Sequence, residues 1–380
     1  MANGKSDHSS PNLIVIFEDM EDPRVERGRL HSLQDIILLT LIAVIAGADN
    51  FVEVELFSEM NEEWLREFLT LENGIPSHDT FSRVFRMLDP VELGDRLLAW
   101  VDAVHEQKAG GHIAIDGKTL RRTFEKANGK AAMHVLNAWS TEARMCLGTV
   151  RVEDGDNEIS TIPKLLKLLN LKRQVVTIDA IGCQKEIARA IKDKGGDYVL
   201  RLKDNQPTMS QEMTGFFTDA EADAFAHQKW HHCEKTDGDH GRVEVRTTWA
   251  TEDLDWFQDK HLWPGLRTLV AQRRIRSIRG KDSETLCLFL SSLPAKRVQK
   301  LAQLARNHWA VENQLHWVLD VVFHEDASRT RKDHAPLNLA VIRRLALTLA
   351  KRHPKKCSMS AKRRIAGWDR PFLVQVLTGV

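Results

Sequence analysis

The chain is 380 residues long, with 42% hydrophobic and 28% charged side chains. These values suit two or three globular domains with real cores and exclude a disordered or fibrous chain. The net charge of +1 hides an asymmetry: residues 18–109 hold 20 acids against 8 Lys and Arg, a net of −12, while residues 329–370 hold 13 Lys and Arg against Asp333 and Asp369, a net of +11. A basic end of that kind suits a polyanion such as nucleic acid.

The longest apolar run, residues 36–48, is 13 residues and too short to span a bilayer. The first residues, MANGKSDHSS, lack the basic-then-apolar layout of a secretion signal. Five scattered cysteines, with no C-x-x-C pair, read as reduced thiols of a cytoplasmic protein.

Residues 1–17 read as a flexible arm and 18–109 as a helical domain. LHSLQDIILLTLIAVIAGA predicts one helix, with Ser32 as N-cap and Gly47 near its stop. FVEVELFSEMNEEWLREFL predicts a second, GIPSHDTFSRVFRMLD a third, and Pro90 opens a fourth. The acidity of this domain favours packing or dimerisation over DNA reading.

Residues 110–206 change character. HIAIDGK, MHVLNAWST and CLGTVRVE read as strands, followed by a helix at 159–169, a strand in QVVTIDA, a helix ending at Gly195 and a strand in DYVLRL. The order β-β-β-α-β-α-β predicts an α/β fold: a mixed five-stranded sheet flanked by helices. Residues 207–294 then read as a β-rich insertion and 295–350 as the second part of the core, before a basic segment at 351–380.

Within RNHWAVENQLHWVLDVVFHED, residues 306–326, apolar residues recur at helical spacing and place Glu312 on the same face. A carboxylate there is either a satisfied buried acid or a functional one. Asp116 in IAIDGK and Asp179 in VVTID bear on that choice. A meander grows to one side of strand one and the crossover returns strand four to its other side, so the two aspartates fall side by side. Adjacent ionised acids repel, and a divalent cation removes the conflict. Glu312, on a helix over the same sheet, is a suitable third ligand. Oxygen-only ligands favour Mg2+ or Mn2+, and two such ions can act on both sides of a phosphate.

These blocks carry a resemblance. AIDGKTLR, TIDAIGCQKEIA, YVLRLKDNQPT, HGRVEVR and HWAVENQLHWVLDVVFHEDASRTRKDHAP, with DPRVERGRLHSLQDIILLTLIAVIAGADNF before them, resemble an insertion-sequence DDE transposase, in the branch that includes the H-repeat-associated proteins of Rhs elements. The resemblance implies an RNase H-like core in which Asp116, Asp179 and Glu312 form the catalytic and metal-binding triad. It further implies metal-dependent strand cleavage and strand transfer on double-stranded DNA, by a homodimer assembled on that DNA. The Tyr, Arg and Lys that many relatives carry around the Glu are here Ala305, His308 and Leu319. A domesticated, idle DNA-binding relative and a structure-selective nuclease are the alternatives.

Lys118, Arg121, Arg122, Lys203, Gln206, Arg306, His308, Arg329, Arg331 and Lys332 are the candidate DNA contacts, each lying near the acids or after the Glu-bearing helix. His308, Glu312 and His316 also share one helical face, a spacing that admits zinc although the pattern is not H-E-x-x-H. Trp230, Trp249, Trp256 and Trp263 read as core residues before base-stacking ones.

Overall fold

The computed structural model describes residue 13 and residues 15–104, 110–125, 129, 131–203, 205–239, 242–278 and 280–379. Short β-branched runs build nine strands: β1 (His112–Leu120), β2 (Met133–Ser140), β3 (Met145–Val152), β4 (Val175–Ile178), β5 (Asp197–Leu202), β6 (Trp230–Asp239), β7 (Arg242–Thr251), β8 (Thr268–Ile278) and β9 (Lys281–Ser291). They form one mixed sheet in the order β3-β2-β1-β4-β5-β9-β8-β7-β6. β1 pairs antiparallel with β2 and parallel with β4, as the meander-and-crossover reading expects.

The expected five strands are therefore adjacent, but they are not the whole sheet. β5 is not an edge: Val199–Leu202 pairs antiparallel with Leu288–Ser291 of β9. An open β5 would leave a row of unpaired amides and carbonyls. The β-rich segment satisfies that row and extends the core sheet.

Thirteen helices are described: α1 (Leu33–Ala46), α2 (Phe51–Met60), α3 (Glu62–Leu65), α4 (His78–Met87), α5 (Pro90–Val104), α6 (Glu158–Leu168), α7 (Lys185–Asp193), α8 (Pro207–Ala222), α9 (Val298–Asn307), α10 (Trp317–Val321), α11 (Ala335–Arg352), α12 (Met359–Trp368) and α13 (Arg370–Thr378). Ser32 caps α1 by accepting from the Asp35 amide, and Ser77 caps α4 through Thr80. The single helix expected from Phe51 onward breaks at Asn61, which separates α2 from α3.

α1 is apolar almost all round because α2, α11, α12 and α13 surround it. One sequence-based expectation changes here. The 1–17 arm is not wholly loose: Leu13 and Phe17 are buried, while residues 1–12 and 14 lie outside the described residues. The basic 351–380 segment is folded onto the rest of the chain. Its α12 and α13 dock on α1, and Arg363 donates to the Val44 and Ala48 carbonyls and to Asp49, satisfying carbonyls at the α1 C-terminus. Lys362 is buried too, with its Nζ on the Ala350 and His353 carbonyls.

α9 lies across the β7-β8-β9-β5 face, with Leu301 and Leu304 against Val199, Val270 and Phe289. α8 packs into the main core, where Phe217 meets Trp249 and Phe216 stacks on Trp256. Trp263 is buried, and the Trp230 and Trp249 rings pack against the core, so the four tryptophans are core residues.

Candidate active site

β1 and β4 align Ile115 with Ile178, so Asp116 and Asp179 follow on neighbouring parallel strands. Asp179 sits just past β4, in a turn whose Ile181 and Gly182 amides favour its ionised form. Glu312 arrives from the other side. After α9 the chain enters a π-helical turn, Glu312–His316, closed by a bond from the Trp317 amide to the Glu312 carbonyl. One extra residue in the turn rephases the helix. Val311 is buried, and the Glu312 side chain stands at the rim, 55% exposed rather than core-facing as its spacing predicts.

Ligand atoms of Asp116, Glu312 and His316 all lie within 4.8 Å of one another, with Asp179 outside that trio. His316 Nδ1 is 3.2 Å from Glu312 Oε2 and 3.5 Å from Asp116 Oδ2. Burial raises the Asp116 pKa to about 8, with the charges of Glu312 and Asp179 adding to the effect. The hydrogen bond from His316 holds Glu312 below its usual range. Burial also raises Asp179, with Glu158 adding to it. Burial and the neighbouring acids thus favour the protonated form of Asp116. The oxygen donors of these acids fit a hard divalent ion, which would offset their mutual repulsion.

The role of His316 follows from its far side. Arg344 Nε can only donate, and it donates to Asn137 Oδ1 at 2.6 Å; Thr149 Oγ1 donates to the same oxygen at 3.1 Å. The amide orientation is therefore fixed, and Asn137 Nδ2 faces His316 Nε2 at 3.3 Å. Nε2 accepts, so the neutral ring carries its proton on Nδ1 and aims it at the two carboxylates. In this state His316 is a donor, which argues against the zinc reading of His308, Glu312 and His316. Arg344 is itself fixed by buried Glu325, 2.7 Å away.

His308 is a further correction. Its Nδ1 meets Thr177 Oγ1 at 3.0 Å, and Thr177 meets His112 Nε2 at 2.7 Å. Burial lowers the His308 pKa to about 4, so it is neutral and ties α9 to β4 instead of offering a cation to phosphate. Lys118 is buried with its Nζ 2.6 Å from Asp320 and 3.6 Å from Asp326, so its charge is balanced within the protein. Gln206 holds the Cys183 carbonyl at the start of α8.

Other predicted contacts face solvent. Arg121 is exposed beside Asp326, and Arg122, Lys203 and Arg306 are exposed. Arg329 and Lys332 are exposed, and Arg331 lies over the Phe124 ring with its Nε on the Arg122 carbonyl. These last three line a groove of about 910 Å3 that also includes Asn50, His78 and Arg86. The reading of individual residues missed Asn137, Arg344 and Glu325. Each is polar and buried, but their partners are distant in sequence.

Two carboxylates at the ends of neighbouring parallel strands, with a third acid approaching from a helix, form the acidic centre of the sheet. The family model "Transposase DDE domain" matches residues 107–349, and "DDE_Tnp_1-associated" matches residues 14–101. The "H repeat-associated putative transposase YhhI" of Escherichia coli (strain K12) is 36% identical over 354 residues, covering 92% of this chain and 93% of the relative. The "Uncharacterized protein in dhlA 3'region" of Xanthobacter autotrophicus is 42% identical over 286 residues, covering 74% of this chain and 95% of that one. A solved piggyBac transposase synaptic complex with hairpin DNA aligns with a TM-score of 0.45 at 12% identity, over 95% of this chain and 76% of that chain. The chain belongs to the DDE transposase family and is a DNA transposase, an enzyme of a family that uses divalent metal.

Proposed function

We propose that Asp116, Asp179 and Glu312 are the catalytic acids of an RNase H-like core formed by β1 to β5, and that they cut and rejoin DNA at insertion-sequence ends. The observation that carries the reading is the approach of Asp116 and Glu312 to one another, with Asp179 following the strand paired with that of Asp116. These three residues would hold Mg2+ or Mn2+, in a site for two such ions. When bound, such ions supply Lewis-acid stabilisation of the charge that builds on the phosphate oxygens.

The chain's own residues supply orientation. His316 donates from Nδ1 and holds Glu312 and Asp116 together, and Asn137 and Arg344 hold the ring in that tautomer. Protein nucleophiles are not needed: water attacks first and the freed 3′-hydroxyl attacks the second strand. Tyr198, the only tyrosine, is fully buried in β5 and cannot reach a phosphate. Arg329, Arg331 and Lys332 line an open groove suited to duplex backbone. A homodimer would bring two element ends together.

The test is cleavage and joining of DNA carrying the flanking element ends, with Mg2+, Mn2+ or EDTA. Asp116→Asn, Asp179→Asn and Glu312→Gln should abolish both steps while leaving DNA binding largely intact. Full activity in EDTA, or in Asp179→Asn, would return these acids to structural status.

A further inference from the structure

A small cavity of about 40 Å3 lies between the C-terminal end of α9 and the sheet face, next to the acids. Thr177 and Ile178, which lead directly into Asp179, form one wall. Arg201, Arg246, Arg274 and Arg306 also line it, against a single acid, Glu244. With its histidine neutral, that lining carries a net charge of +3.

The excess cation is built into the sheet register. Arg246 of β7 stands directly opposite Arg274 of β8, a like-charge pair that costs stability unless an anion lies nearby. Glu244 already pairs with both Arg246 and Arg276, and Asp237 pairs with Arg246. Among the described residues, neither Arg201 nor Arg274 has a carboxylate at ion-pair distance; the side chain of Arg201 reaches only the Cys287 thiol, at 3.7 Å. Arg201 is close enough to Asp179 for its charge to favour the ionised acid, which links the cavity to the active site. Trp309, 47% exposed, also lines the cavity, three residues before Glu312.

We propose that this cavity is a phosphate subsite, in which Arg201 and Arg274 bind a DNA phosphodiester next to the one being cut. Guanidinium groups suit that ligand because their planar donors match phosphate oxygens. The Trp309 ring is placed to cover the adjoining nucleotide. The subsite would fix the strand against Asp179, so that attack geometry depends on a contact outside the three acids. This inference rests on the transposase reading of the site.

The experiment uses the full chain and duplex carrying the element end. Binding is measured as a function of salt for the wild type, Arg201→Gln and Arg274→Gln. Each variant should lower the log–log salt slope by about 0.9, the value for one lost phosphate contact. Neutral methylphosphonates are then placed singly along the strand. At one position next to the cut, the wild type should lose affinity and cleavage rate, Arg201→Gln and Arg274→Gln should be insensitive, and Arg201→Lys should stay sensitive. Unchanged salt slopes, or glutamine variants as sensitive as the wild type at every position, would overturn the subsite. A wild type that neither binds nor cuts element-end DNA would instead overturn the functional reading. Circular dichroism and thermal melting show that the variants are folded, and the lysine variant keeps the test decisive if a glutamine variant is not.

Discussion

Arg344→Met is the perturbation from which the architecture of the site can be read most directly. Arg344 and Glu325 are buried, with side chains 3% and 1% exposed, and Nη1 lies 2.7 Å from Oε1. Removing the cation leaves a carboxylate in the core. Breaking such a pair costs roughly 3–5 kcal/mol. Arg343, also buried, acts favourably on Glu325, so the lower end of that range, about 3 kcal/mol, is expected. The same change frees the Asn137 amide to turn, and His316 then loses the partner that keeps its proton on Nδ1. Supporting groups of this kind typically alter activity by about 10–100-fold. Urea unfolding at pH 7 measures the first effect and element-end cleavage the second. The Glu325→Gln, Arg344→Met double variant should recover part of the stability, since the orphaned carboxylate is gone while buried Arg343 keeps the charge of Asp49 nearby, but not the cleavage rate. A loss below about 1 kcal/mol for Arg344→Met, or full cleavage by the folded double variant, would refute the argument.

Stability should fall in mild acid because His112 and His308 are buried as neutral rings, with pKa values lowered to about 3 and about 4. Below about pH 6.5 the unfolded chain binds protons that the native state refuses, costing about 1.4 kcal/mol per pH unit for each ring down to about pH 4. Urea midpoints from pH 7 to 4 should show this slope, and it should shrink in the His112→Gln, His308→Gln variant. Ending the chain at residue 350 should destabilise the fold, and Arg363→Met alone should cost roughly 2 kcal/mol by orphaning the Val44 and Ala48 carbonyls; an unchanged melting temperature would contradict the docking of α12 on α1. Arg329→Gln and Lys332→Gln should each lower the salt slope of DNA binding by about 0.9, whereas Lys118→Met should lower stability and leave that slope unchanged, because Lys118 is paired with Asp320.

What could be read without coordinates was local or followed from chain connectivity. Ser32 and Ser77 announce helix starts by their chemistry, and the crossover rule puts β4 beside β1, which is enough to bring Asp116 next to Asp179. The pairing of β5 with β9 was not legible, because it joins segments about ninety residues apart and no spacing encodes it. The π turn was not legible either: a periodic pattern cannot reveal a single added residue, so Glu312 read as core-facing when Val311 is the residue that is buried. Charge counting failed for a related reason. Arg343, Arg344, Lys362 and Arg363, four of the 13 cations in residues 329–370, are buried, with partners such as Asp49, Asn137 and backbone carbonyls distant in sequence. A formal charge that closes a helix end or compensates a core acid is not offered to a polyanion. Lys355, Lys356, Arg364 and Arg370 stay exposed in residues 351–380, and Arg329, Arg331 and Lys332 line the open groove beside α4.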